Sequence, residues 1–367
     1  MTEDNLLSEL RAIRLALGNL SGRAAARFAP VHLALARIER GLSRPVRLGV
    51  LGEQNSGKSL LINYLLKHQV LPSGGFAGEG TELLIRYAAE ASVHAVKADG
   101  TRNRLTSKAF GRLVKPEMRG APPSSGVIYD ARNAKAPGSQ KSATPGHLMF
   151  AVRPEPQAPS KLIEICLPLS FLRNVEIVEV RAHPEGPAGS PSSRAFRQVD
   201  MTIWCTLATQ AWKESEAASW KRIPAGRRRT ALMLVTYKDA IRHGKDEAKI
   251  MARLRHQAST LFDDVVLISL RDAIQSLLAS DQEDARQLHQ QSNVEAAESA
   301  MTGLIQGWQT RRFQRAARLL RKLAARVAVG RPEQGGSPAH ELASILNRLA
   351  AEFVNASPSI SLKNKAA

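Results

Sequence analysis

The stretch VRLGVLGEQNSGKSLLINYLL, residues 46–66, decides how this chain is read. Its first seven residues are a short β-branched and aliphatic run ending in glycine, and GKSLLINYLL has helical spacing. Between them GEQNSGKS, residues 52–59, fits the pattern G-x-x-x-x-G-K-[ST]. Strand, glycine loop, helix is the context such a phosphate loop requires. Glycines let backbone N–H groups curl around phosphate oxygens, and the helix N-terminus adds a favourable dipole. In that arrangement Lys58 reaches the β and γ phosphates and Ser59 offers a hydroxyl to magnesium. The plainer alternative is a Gly-rich turn with an exposed lysine, and the flanking strand and helix argue against it.

Working outward, further strand candidates lie at 83–87, 93–97, 161–167, 175–180, 201–206, 231–236 and 265–269. Helical stretches at 215–222 and 246–261 alternate with them, which predicts an α/β doubly wound sheet. Residues 97–161 stand apart, with twelve Lys and Arg against four Asp and Glu. From 116 to 160 this segment is rich in Pro, Ala, Ser and Gly and is read as a disordered basic insertion. Residues 3 to about 42 read as helix, and helical spacing returns from about 281 to 329 and near 341–353.

The composition is ordinary for a globular chain, 43% hydrophobic and 23% charged over 367 residues. Cys166 and Cys205 sit in apolar runs with no second Cys or His at ligand spacing, so both read as core residues. No apolar run reaches the roughly 18 residues a membrane span needs, and Glu3, Asp4 and Glu9 do not suit a secretory leader. A cytoplasmic protein is expected. The net charge of +19 exceeds what solubility requires and predicts an anionic partner, whether lipid, nucleic acid or an acidic protein.

The segment GVLGEQNSGKSLLINYLLKHQVLPSGGFAGEGTELLIRY, residues 49–87, resembles the opening of bacterial dynamin-like GTPases. There a G-E-x-N-S-G-K-S-T loop leads through a helix to L-P-x-G and a switch threonine. The resemblance implies nucleotide contacts from Gly52, Glu53, Gln54, Asn55, Ser56, Gly57, Lys58, Ser59 and Leu60. It places Asn55 where a polar residue helps hold a monovalent cation, potassium being the one to test. Thr81 falls on the switch threonine that ligates magnesium beside Ser59; a strand-entry hydroxyl is its plainer reading.

Later motifs follow in the family's order but depart from its pattern. In the second switch Glu179 stands for the Asp, Arg181 for the Pro and Ala182 for the Gly of D-T-P-G. Glu179 is placed to reach a magnesium-bound water or, alternatively, is a surface glutamate at a strand edge. The base-recognition strand ALMLVTYKDAI puts Thr236 and Asp239 in position for [NT]-K-x-D, with Tyr237 replacing the lysine and Lys238 one place late. An ionised Asp239 can accept both guanine donors, N1–H and N2–H, and its plainer reading is a helix cap. Ser269 and Leu270 fall near the base, while Trp212 and Trp220 read as core residues ahead of a stacking platform.

These readings imply a three-layer α/β P-loop GTPase domain over 46–280, with helical segments 1–45 and 281–356 forming a bundle and a polar tail at 357–367. The implied ligands are GTP or GDP with Mg²⁺, hydrolysis is expected to be slow, and dimerisation is expected across the nucleotide face. Two rivals stay open: a scaffold whose catalysis has decayed, and an RNA-associated GTPase. The helix WQTRRFQRAARLLRKLAARVA, residues 308–328, has seven Arg or Lys and no acid. It is read as a bundle helix with a basic solvated face, or as a contact for anionic lipid at the inner membrane surface, with nucleic acid the less favoured partner.

Overall fold

The computed structural model describes residues 3–71, 82–97, 99–105, 162–181, 196–241, 244–328 and 338–356. Thr81, Ala182, the insertion at 116–160 and the tail lie outside them. The chain divides into two compact units, Val46–Met301 and a second of Met1–Pro45 with Thr302–Ala367. The helices are α1 (Glu3–Gly18), α2 (Gly22–Ser43), α3 (Lys58–Leu66), α4 (Glu214–Arg222), α5 (Gly244–Ala258), α6 (Leu270–Leu278), α7 (Gln282–Ser292), α8 (Val294–Ala328) and α9 (Pro338–Asn355), with one extra turn at Ala225–Arg228.

Among the described residues the first unit has nine strands: β1 (Val46–Gly52), β2 (Glu82–Tyr87), β3 (Ser92–Val96), β4 (Arg102–Arg104), β5 (Leu162–Leu167), β6 (Val175–Arg181), β7 (Met201–Leu207), β8 (Ala231–Thr236) and β9 (Asp264–Leu267). Their order in the sheet is β4-β3-β5-β2-β6-β1-β7-β8-β9. From β6 to β9 every pairing is parallel, and β2 then joins β6 antiparallel. The sheet is therefore mixed, a parallel core with a wing that runs antiparallel to it at β2, where β2 and β5 pair in parallel and β3 opposes both β5 and β4. Parallel strands covered on both faces need apolar side chains on both, and β8 is buried at all six positions.

After β1 the chain builds the strands on one side of it, β2 to β6, and then crosses to the other side for β7, β8 and β9, so its direction of travel reverses at β1. That reversal opens a crevice beyond the carboxyl end of β1, the place where ligands bind in open α/β sheets. One face of the sheet packs Leu51, Leu84, Val178 and Val180 against Trp204, Trp220, Leu254 and Phe262. Trp204 meets Trp212 and Trp220 edge-on, with ring centroids 6.1 and 5.7 Å apart, so the tryptophans are core. Burial pushes the Cys205 thiol up to about 12, which makes it an inert packing residue.

The same face carries charge towards its antiparallel wing. Arg102 of β4 and Arg86 of β2 both pair with Glu164 of β5, Arg86 Nε lying 2.7 Å from the carboxylate. Farther in, Arg47 of β1 donates through Nε to Glu176 of β6 at 2.8 Å and through Nη1 to Gln198 at 2.6 Å.

In the second unit a single apolar core joins four helices: Leu6 and Leu10 of α1, Val31, Leu35 and Ile38 of α2, Phe313, Leu320 and Val327 of α8, and Leu346, Leu349 and Phe353 of α9. The N-terminal helix expected over 3–42 is broken at residues 19–21, after which Gly22 opens α2 at φ +59°. Asn293, left-handed at φ +55°, likewise separates α7 from α8. All five exposed large apolar side chains among the described residues, Leu15, Leu20, Leu33, Leu319 and Val354, lie in this unit.

Candidate functional site

The loop between β1 and α3 is shaped by two glycines. A Cβ on Gly52, at φ +146°, would stand 2.3 Å from Cys205 O and 2.6 Å from Ser56 Oγ, so no side chain fits. Gly57, at φ +85°, is left-handed and lies against Thr236 and Leu270. Asn55 also takes the left-handed region at φ +63° and is exposed beside Gln54. The loop thus turns sharply into the N-terminus of α3 through left-handed Asn55 and Gly57, the backbone form expected of a phosphate cradle.

Lys58 is buried, and its ammonium donates to the backbone oxygen of Glu53 at 2.5 Å, closing the loop on its own second residue. Ser59, in the first turn of α3, donates to Glu179 Oε1 on β6 at 3.3 Å. Leu60 is half-buried one residue on. Lower in α3, buried Asn63 accepts from the N–H groups of Val70 and Leu71 and so anchors the chain leading towards Thr81.

Two threonines tie the loop to the sheet. Thr236, at the end of β8, directs its buried hydroxyl at Ser56 O and Thr206 O, each 3.0 Å away. The Thr206 hydroxyl in turn donates to Glu216 at 2.9 Å, and the same carboxylate accepts from the Lys213 backbone N–H and from the Trp204 indole. Burial raises the Glu216 carboxyl above its ordinary range against the effect of those bonds.

Glu53 is held from outside the loop. Its carboxylate accepts from Lys213 Nζ at 2.9 Å and from Ser215 Oγ at 2.6 Å, both at the start of α4. Burial works to raise its pKa, yet the Ser215 and Lys213 bonds together leave it below the usual glutamate value. Sequence reasoning missed Lys213, Ser215 and Thr206 as partners of the loop. The signal available was WKESE, where a Glu three residues into a helix reaches back to its cap.

The base-recognition candidates gather after β8 and β9. Asp239 is exposed and accepts from the buried hydroxyl of Ser269 at 3.0 Å. Ser269 also caps α6 by accepting from Asp272 N–H, so this one residue both starts a helix and braces the carboxylate. Leu270 packs at Gly57. Lys238 is engaged elsewhere, donating to the last-turn carbonyl of Gln291 in α7 at 2.7 Å, a favourable place for a cation. Tyr237 takes the left-handed conformation at φ +62° and is half-buried.

A glycine loop at the strand-order reversal, followed by the Ser59–Glu179 pair, by Thr236 at the end of β8 and by Asp239 after it, decides the architecture. The fold is that of the P-loop GTPases.

No protein-family model and no curated protein matches the chain. Among solved structures it is similar to an oligomerised bacterial dynamin pair described as sensing and tethering membranes at long range, with 13% identity and a TM-score of 0.44 over 82% of this chain and 42% of that one. It is also similar to Aquifex aeolicus Era bound to GDP·AlF₄⁻, with 10% identity and a TM-score of 0.31 over 61% of this chain and 50% of that one. Era in complex with MgGDPNP and a segment of 16S ribosomal RNA matches at 12% identity and 0.31 over 62% and 51%. The chain spans about half the length of these structures or less.

Proposed function

We propose that this chain binds GTP and GDP with Mg²⁺ and uses the bound nucleotide to control assembly or conformation. The observation that carries this is the loop at residues 52–59, where Gly52 admits no side chain and Gly57 is left-handed, and whose Lys58 and Ser59 face the same end of the sheet as Asp239. The backbone N–H groups of the loop and the buried ammonium of Lys58 would bind phosphate, Lys58 exchanging its bond to Glu53 O for a phosphate oxygen. Ser59 would hold the metal, with Thr81 joining it. Magnesium, when bound, neutralises charge on the phosphate oxygens. Asp239, braced by Ser269, would select guanine by accepting from N1–H and N2–H, a pairing that adenine's N1 acceptor cannot offer.

Hydrolysis is proposed to be slow, because Arg181 and Ala182 stand where the family pattern has Pro and Gly, with K⁺ acting through Asn55. Kinship with bacterial dynamin-like GTPases, and dimerisation across the nucleotide face, are proposed on the residue resemblance over 46–280. The test is a calorimetric titration of the full chain with GTP, GDP and ATP. We expect GTP and GDP to bind and ATP to bind at least about tenfold more weakly, a difference of about 1.4 kcal/mol. Lys58→Ala should weaken both guanine nucleotides by about tenfold or more, given a charge-assisted bond worth about 1.5–3 kcal/mol. Equal affinity for ATP and GTP would sink the base assignment.

A second reading concerns where the protein acts, at a peripheral site on anionic lipid. It is supported by α8, where Arg311, Arg315, Arg318 and Lys322 are exposed along one face and Leu319, 42% exposed, lies among them. Basic groups beside exposed leucine suit a lipid headgroup boundary better than a phosphodiester backbone alone. No helix among the described residues is long and apolar enough to cross a membrane.

A further inference from the structure

We infer that Glu179 is a direct ligand of the magnesium ion, in contact with it without an intervening water. The inference rests on the nucleotide-binding reading above and concerns how that site holds its metal. In the usual arrangement a P-loop Ser or Thr and an aspartate on the neighbouring strand share the ion. Here the acidic residue is one methylene longer.

Geometry decides what the extra methylene does. Ser59 Oγ and Glu179 Oε1 are 3.3 Å apart. Magnesium takes near-ideal octahedral geometry with bonds of about 2.0–2.1 Å, so two adjacent oxygen ligands stand about 3 Å apart. The two oxygens therefore already lie at nearly the separation of neighbouring ligands on one ion. Neither backbone is free to withdraw: Glu179 is in register with Val50 of β1 on one side and Leu83 of β2 on the other, and Ser59 is in the first turn of α3. An aspartate at position 179 would end about one C–C bond, roughly 1.5 Å, farther from Ser59. That gap is what a bridging water fills, and the glutamate closes it.

A second consequence is charge. A carboxylate in direct contact adds a full negative oxygen ligand where a water would be neutral, which suits a hard divalent cation. It also leaves one fewer water on the ion. With GDP bound, Ser59, Glu179 and one phosphate oxygen fill three positions, leaving about three waters; with an aspartate bridged through water the number is about four.

Mn²⁺ in place of Mg²⁺ makes that number measurable by electron paramagnetic resonance, from line broadening in ¹⁷O-enriched water. The experiment uses the full chain with GDP, in wild type and in Glu179→Asp, with GDP binding followed separately by calorimetry. About three waters in wild type and about four in Glu179→Asp is the expected result. Four waters in wild type overturns direct ligation, and wild type alone gives that answer even where the variant does not fold. GDP bound with no Mn²⁺ coupled to it overturns the inference while leaving the nucleotide reading standing. No GDP bound at all sinks the nucleotide reading and this inference with it.

Discussion

Thr236→Val removes one oxygen and keeps the shape of the side chain, so it isolates the hydroxyl that ties the phosphate loop to the sheet. That hydroxyl lies 3.0 Å from Ser56 O and 3.0 Å from Thr206 O and is shielded from solvent. Losing the bond costs about 1 kcal/mol, and leaving a buried carbonyl without its donor adds about 1–3 kcal/mol, because no water reaches it. Backbone pairing of β7 with β8 continues past Thr206, so the total should fall in the lower part of that range, about 2 kcal/mol. The loop should also lose its fixed position at Ser56, weakening GDP binding by about tenfold. Urea unfolding followed by tryptophan fluorescence suits the measurement, since three of the four tryptophans, Trp204, Trp212 and Trp220, lie in the sheet unit. Thr236→Ser is the control, keeping the hydroxyl and losing the methyl that faces Gly57. If Thr236→Val leaves stability within about 0.5 kcal/mol of wild type while Thr236→Ser loses more, methyl packing holds the loop and the hydrogen-bond account is wrong.

Other predictions follow from the same geometry. Gly52→Ala should destabilise the sheet unit more than Gly57→Ala, by about 2–5 kcal/mol, because its Cβ meets a backbone oxygen at 2.3 Å while that of Gly57 meets side-chain atoms at 3.2 Å or more; the reverse ranking in urea unfolding would contradict this. Glu53 has a lowered folded pKa, so its pairing with Ser215 and Lys213 stabilises fully above the ordinary glutamate value and is lost as pH falls through the lower folded value. Glu53→Gln should accordingly flatten part of the acid limb of the thermal midpoint against pH, and an unchanged limb would dismiss the pairing. Changing Arg311, Arg315, Arg318 and Lys322 to Gln should abolish co-sedimentation with anionic liposomes at low salt without altering helix content by circular dichroism. A wild type that stays in the supernatant in every nucleotide state would leave the positive charge to a protein or RNA partner.

The strands were legible because each is an apolar run long enough to stand out, and the anticipated runs agree with the observed ones to within two residues. β4 was not, since Arg-Asn-Arg has no apolar alternation and becomes a strand only by pairing with His94, Ala95 and Val96. Pairing order was equally hidden, because it depends on contacts between distant segments. Within the site, the loop and its lysine could be read from spacing alone, whereas the grip of Lys213 and Ser215 on Glu53 joins residues 160 and 162 positions apart, and the local pattern WKESE marks only the helix start that carries them. Lys238 shows the converse: its neighbourhood to Asp239 in sequence suggests a shared task, yet its side chain is spent on the end of α7.

The charged row across the sheet also acts as a key for alignment. Successive side chains on a strand point to opposite faces, so a slip of one residue would carry Arg86 through the sheet and away from Glu164, its diagonal partner on the same face. Apolar strands tolerate such slips better, since one aliphatic side chain replaces another. The wing needs the safeguard more than the parallel core does: β3 ends at Val96 and β5 begins at Leu162, so these paired strands must find each other across a long intervening stretch. The observed alignment satisfies Arg102, Arg86 and Glu164 together, and the separate register of β1 with β6 sets Arg47 opposite Glu176. Specificity of assembly, more than net stability, is the contribution expected of these charges, of which Glu164 is buried and its arginine partners reach solvent.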